Sequence, residues 1–127
     1  MRDDTEFTAG FTEMAFRAVS TGEPQRAVRE RLGAPLREGL DYGDRPDICS
    51  FVMLENDAVT FAVPTDPCRS RGVDEGVSRS DVVRSLGTPS GTCWIYSRSP
   101  SNRYYRLRAV CFAGDRVSML VRRINRD

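Results

Sequence analysis

Apolar positions along this chain switch between helical and strand spacing. From Thr5 to Val19, the residues Phe7, Phe11, Met14 and Ala18 recur at intervals that place them on one helical face, which predicts an amphipathic helix over that stretch. Val28 and Leu32 predict a second helix, Pro24–Leu32, with Pro24 suited to its first turn. Val82 and Leu86 predict a third, Arg79–Leu86, which Ser78 can cap while Asp81 completes a capping box. Gly33 and Gly87 supply left-handed stops, and Pro35 and Pro89 prevent continuation. Strand signals follow each stop. The first set is Leu40–Tyr42, Ile48–Leu54 and Ala58–Val63; the second is Cys93–Ser97, Tyr105–Phe112 and Arg116–Arg122. Short turns at Glu55-Asn56-Asp57 and Ala113-Gly114-Asp115 imply antiparallel meanders. A shorter, poorly marked helix is expected over Arg69–Glu75, after a linker at Pro64-Thr65-Asp66-Pro67.

These elements form an internal repeat. Gly22, Val28, Leu32, Gly33, Pro35 and Tyr42 recur 54 positions later as Gly76, Val82, Leu86, Gly87, Pro89 and Tyr96. Val52, Asp57 and Val59 recur 58 positions later as Val110, Asp115 and Val117, so the second copy carries extra residues around Ser97–Arg106. An ordered series of this kind marks duplication. The expected fold is α+β: two tandem helix-helix-antiparallel-meander repeats of about three strands each, with helices on one face of the sheet. The copies are residues 1–66 and 67–127, each helix folding back over its own meander within one compact domain.

Gly76-Val77-Ser78 through Val82, Leu86-Gly87-Thr88-Pro89, Trp94-Ile95-Tyr96, and Val110-Cys111-Phe112 with Gly114-Asp115-Arg116-Val117 resemble the SmpA/OmlA family. Its members are small outer-membrane lipoproteins that assist the machinery inserting β-barrel proteins. The tandem arrangement is similar to that of the secreted β-lactamase inhibitory proteins. The resemblance implies the helix-helix-sheet fold and a role in the cell envelope, as a scaffold or assembly factor. A secreted or periplasmic inhibitor, binding an enzyme through an exposed sheet face, is the alternative. The chain departs from the lipoproteins in having two units and no Cys near its start.

Cysteines stand at 49, 68, 93 and 111, with no C-x-x-C and no His, so a metal site is not expected. Two bridges would place the protein in an oxidising compartment; four buried free thiols are the other reading. The inhibitory proteins imply one bridge inside each copy, Cys49 with Cys68 and Cys93 with Cys111, although the sequence itself allows three connectivities. Nothing near Met1 has the basic head and apolar middle of a signal peptide. The expected location is therefore periplasm, outer membrane or exterior with the targeting segment missing, or else the cytoplasm, where the chain would serve as an interaction domain. No apolar run approaches the roughly 20 residues that cross a bilayer.

All 19 basic residues are Arg. Residues 1–66 hold 7 Arg against 13 acids, and residues 67–127 hold 12 against 5. The two halves can attract each other, or the second can steer an acidic partner. The Arg residues are scattered and form no nucleic-acid motif. Without His or Lys, and without a G-x-S-x-G elbow or a glycine-rich phosphate loop, neither catalysis nor a cofactor is expected. Protein binding is the favoured reading. Its candidate residues are Trp94, Tyr96, Arg98, Arg103, Tyr104, Tyr105, Arg106 and Arg108, because aromatic and Arg side chains dominate interface hot spots. For Trp94 and Tyr96 a place in the core between sheet and helices is the favoured alternative, because Tyr42 repeats the Tyr.

Overall fold

The computed structural model describes residues 4–101 and 104–126. In chain order the first elements are β1 (Glu6–Phe7), α1 (Glu13–Arg17), α2 (Gln25–Leu32), β2 (Arg37–Asp41), β3 (Phe51–Glu55) and β4 (Ala58–Val63). They are followed by α3 (Thr65–Ser70), α4 (Arg79–Leu86), β5 (Gly91–Ile95), β6 (Ser97–Arg98), β7 (Tyr104–Ala113) and β8 (Arg116–Arg126). The chain is thus α+β, and it divides into two compact units: Arg37–Thr92, and Met1–Leu36 with Cys93–Asp127.

That division cuts across the expected repeat boundaries at 66 and 67. In the continuous unit the strands run β4-β3-β2, paired antiparallel. Leu40, Val52, Leu54 and Val59 from these strands share one buried cluster with Cys68 of α3 and Val82 and Leu86 of α4. In the other unit the strands run β5-β7-β8, and Trp94, Tyr96, Val110, Phe112 and Val117 cluster with Phe16 of α1 and Val28 and Leu32 of α2. The helices α1 and α2 thus share a core with β5, β7 and β8, and α3 and α4 with β2, β3 and β4, whereas the sequence expectation is that each helix folds over the strands that follow it. The reason is that Val28 with Leu32 and Val82 with Leu86 have the same apolar spacing. Such a pattern specifies that a helix needs a meander; it does not say which one.

Equivalent hydrogen bonds recur in both units. Tyr42 Oη donates to the Gly87 carbonyl at 2.9 Å, and Tyr96 Oη to the Gly33 carbonyl at 3.1 Å. Each phenol thus satisfies a carbonyl at a helix C-terminus, where backbone acceptors lack helical partners. Gly76 N–H donates to Val59 O and Gly22 N–H to Val117 O, both at 2.8 Å. Both glycines adopt positive φ, 89° and 92°, a conformation costly for a residue bearing a Cβ. Register shifts lie at Met53/Leu54 in β3 and Cys111/Phe112 in β7, again 58 positions apart.

Several local expectations change. The predicted helix Thr5–Val19 is only α1, five residues long, preceded by β1. Gly10 turns the chain at φ 82°, and Thr12 then caps α1 by accepting from the Ala15 N–H. Phe7 and Phe11 fall at helical spacing because their rings stack, 4.8 Å apart, across that turn. The Pro64–Pro67 segment is not a linker: it opens α3, which begins at Thr65 and ends at Ser70, earlier than Arg69–Glu75. Proline is tolerated there because first-turn amides have no helical acceptor. Arg79–Leu86 forms as expected, with Ser78 Oγ accepting from Asp81 N–H at 3.2 Å. Two disulfides, Cys49–Cys68 and Cys93–Cys111, join the expected pairs.

Candidate protein-binding surface

Of the eight residues singled out in the sequence, the seven that are described do not lie together on the surface. Trp94, Tyr96, Tyr105 and Arg108 are buried. Trp94 meets the edge of Phe112 with ring centroids 4.6 Å apart and lies under the Arg29 guanidinium at 5.7 Å. Burial pushes the Tyr96 hydroxyl well above the ordinary phenol range, with the nearby Arg29 charge opposing it. Tyr105 accepts from the Asn125 amide at 3.5 Å. Arg103 lies outside the described residues.

Arg108 is used internally. Its Nε donates to Glu13 Oε1 at 2.7 Å, and an Nη donates to the Leu107 carbonyl at 2.9 Å. Arg17 and Arg122 both donate to Glu13 Oε2 at 3.1 Å. Burial alone would raise the Glu13 carboxyl, but the hydrogen bonds from Arg108, Arg17 and Arg122 outweigh it and hold the group down at about 2. This cluster ties α1 to β7 and β8. Spacing could not reveal it, because Glu13 and Arg108 are 95 residues apart.

Arg98 on β6 and Tyr104 and Arg106 at the start of β7 stand beside the N-terminal segment. Arg98 pairs with Glu6 at 2.9 Å across the β1–β6 register. Ser99 Oγ donates to Asp4 at 2.8 Å, and Ser101 Oγ also donates to Asp4. Arg106 N–H donates to Thr5 Oγ1 at 2.7 Å, while its guanidinium lies 5.1 Å from the Phe7 ring centroid. Tyr104 stays 40% exposed.

Strand alternation adds neighbours that the sequence reading missed. Arg106 pairs with Ile124 and Arg108 with Arg122, so Tyr104, Arg106, Ile124 and Arg122 share one face of β7–β8. Ile124 is 49% exposed, and Arg106 and Arg122 are exposed. Reading the last strand as ending at Arg122 hid Ile124; the run Val121-Arg122-Arg123-Ile124 carried the available signal. No family model, curated protein or solved structure matches the chain.

Beside β4 lies a hollow of about 160 Å³, lined in part by Thr60, Phe61, Arg69, Asp74 and Glu75. It is smaller than the roughly 300 Å³ at which ligand pockets begin, and Arg69 already lies 3.7 Å from Asp74. Among the described residues no three His, Cys, Asp or Glu converge as a metal site, and no helix is long and apolar enough to cross a membrane. The two disulfides point to an oxidising environment.

Proposed function

We propose that this chain is a non-enzymatic protein-binding module of the bacterial cell envelope, a scaffold or assembly factor similar in kind to the SmpA/OmlA lipoproteins. We read its fold as a tandem duplication in which each helix pair is exchanged onto the other copy's meander. The carrying observation is the shared face of Tyr104, Arg106, Ile124 and Arg122: aromatic, cationic and aliphatic side chains side by side on a rigid ribbon. Such groups give large contact area at modest entropy cost. The disulfides support a place outside the cytoplasm.

A photo-crosslinking residue at Tyr104, introduced into the chain in its own cells, should yield one discrete adduct with an envelope protein. The adduct should disappear in Arg106→Ala/Ile124→Ser without loss of thermal stability. An adduct that persists in that variant would sink the assignment.

A second reading rests on the continuous unit. Phe61 and Val63 on β4 are 47% and 51% exposed, and Phe51 on β3 places its ring 6.2 Å from that of Phe61. An apolar sheet surface of this kind suits an inhibitor that covers an enzyme cleft. Purified protein that inhibits a secreted hydrolase, and loses inhibition in Phe61→Ser, would favour it.

A further inference from the structure

We infer that the outer edge of β8 binds an extended acidic segment of a partner protein as an added antiparallel strand. The inference rests on the protein-binding reading and names the chemistry and geometry of the partner. β8 spans 11 residues, about twice the usual strand, and closes the order β5-β7-β8. Residues 22–24 cover its beginning, through the Pro24–Arg116 bridge and the bonds of Gly22 and Glu23 to Val117. Beyond Val117 its backbone pairs only with β7 among the described residues. An antiparallel strand turns alternate N–H and C=O groups away from its neighbour, so this stretch presents a row of unpaired donors and acceptors.

Soluble proteins usually blunt such an edge with a bulge, a proline, charged side chains or a very short strand. The bulge of this pair leaves Ser118 unpaired between Val117 and Met119, and beyond it the ladder to β7 is regular. Here Ser118–Asn125 contains no proline, and Met119 and Ile124 are about half exposed, at 52% and 49%. Charge selects the occupant. β8 carries Arg116, Arg122 and Arg123, closes on Arg126, and has no acid. The surrounding unit holds 13 Arg against 8 acids, whereas Arg37–Thr92 holds 6 against 10. Arg122 is shared with Glu13, but Arg123 is exposed and forms no ion pair among the described residues. A second copy of β8 would meet these arginines with its own, without an acid to offset them. A strand alternating carboxylate and apolar side chains would place charge opposite Arg and apolar groups beside Met119 or Ile124. Within the continuous unit, the terminal strand β4 is six residues long, has no charged side chain and runs into Pro64.

The test uses the disulfide-intact chain, isotope-labelled for NMR, and three ten-residue peptides. One alternates Glu and Val, one alternates Lys and Val, and one is the Glu-Val peptide with proline at its two central Val positions. The Glu-Val peptide should bind, shifting amides of Ser118–Asn125 and slowing hydrogen exchange at alternate residues there. The proline peptide and the Lys peptide should bind at least tenfold more weakly, and Arg123→Glu should weaken Glu-Val binding at least tenfold. Equal binding of the proline peptide would overturn strand addition, and equal binding of the Lys peptide would overturn the charge argument. Absence of Glu-Val binding, or β8 shifts that grow with protein concentration alone, would overturn the inference; the latter would name a second copy as occupant. A Tyr104 crosslink that survives either result would leave the protein-binding reading standing.

Discussion

Replacing Glu13 with Gln should destabilise the protein by about 2–3 kcal/mol at neutral pH, and the loss should fade with acid. Gln keeps the shape but removes the charge shared by Arg108, Arg17 and Arg122. Lowering a carboxyl from 4.5 to about 2 corresponds to about 3 kcal/mol. Because 33% of the Glu13 side chain is open to water, screening brings the charge contribution to about 1–2 kcal/mol. Leaving a buried guanidinium without its anion adds to that. The Arg108 side chain is only 7% exposed and would keep its 2.9 Å bond to the Leu107 carbonyl and a neutral amide oxygen in place of the carboxylate. Breaking a fully buried pair costs about 3–5 kcal/mol, so a partly open one belongs below that range. The sign follows from the depressed carboxyl. Its stabilisation is complete above 4.5, the unfolded value, and is lost as pH falls toward about 2. Urea denaturation of wild type and Glu13→Gln between pH 7 and pH 2.5 isolates this group from the other acids, because only the difference matters. Adding Arg108→Met to Glu13→Gln should recover about 1 kcal/mol by removing the stranded charge. A wild-type-minus-variant gap below about 0.5 kcal/mol at pH 7, or one that does not narrow in acid, would refute the reasoning.

Tyr42→Phe and Tyr96→Phe should each cost about 1 kcal/mol, since each removes the donor to a glycine carbonyl at a helix end; paired denaturation curves check this. Burial raises both phenols, so an absorbance titration should find two tyrosines still protonated where a free phenol is half ionised. Alkylation of the unfolded protein without reductant should modify none of the four cysteines. Replacing either bridged pair, Cys49/Cys68 or Cys93/Cys111, with Ala should lower stability by about 3 kcal/mol, given sequence separations of 19 and 18. Gly39→Ala should cost about 1 kcal/mol and displace the Phe51 ring, because a Cβ at 39 would stand 2.7 Å from that ring; the Phe51 NMR resonances report the shift.

Elements whose signals are local were legible. Arg79–Leu86 is bounded by Ser78 and Gly87 in both sequence and structure, because a side-chain cap and a left-handed glycine act within one turn. Ala58–Val63 forms as read, following a turn in which Asn56 and Asp57 take positive φ. The N-terminal stretch misled because Phe7 and Phe11 keep helical spacing while the chain between them turns at Gly10. Of the candidate surface, Tyr104 and Arg106 were visible in sequence. Ile124 became a neighbour only through the β7–β8 register, and Arg108 left the surface once Glu13 reached it.

Local pattern was enough for the α+β class and for naming the four residues that form two bridges. Tertiary structure decided which meander each helix covers, because Val28 with Leu32 and Val82 with Leu86 present the same apolar face. It also decided which arginines remain at the surface. Periodicity says that a side chain is turned to one face, but whether a carboxylate waits there depends on contacts about a hundred residues apart.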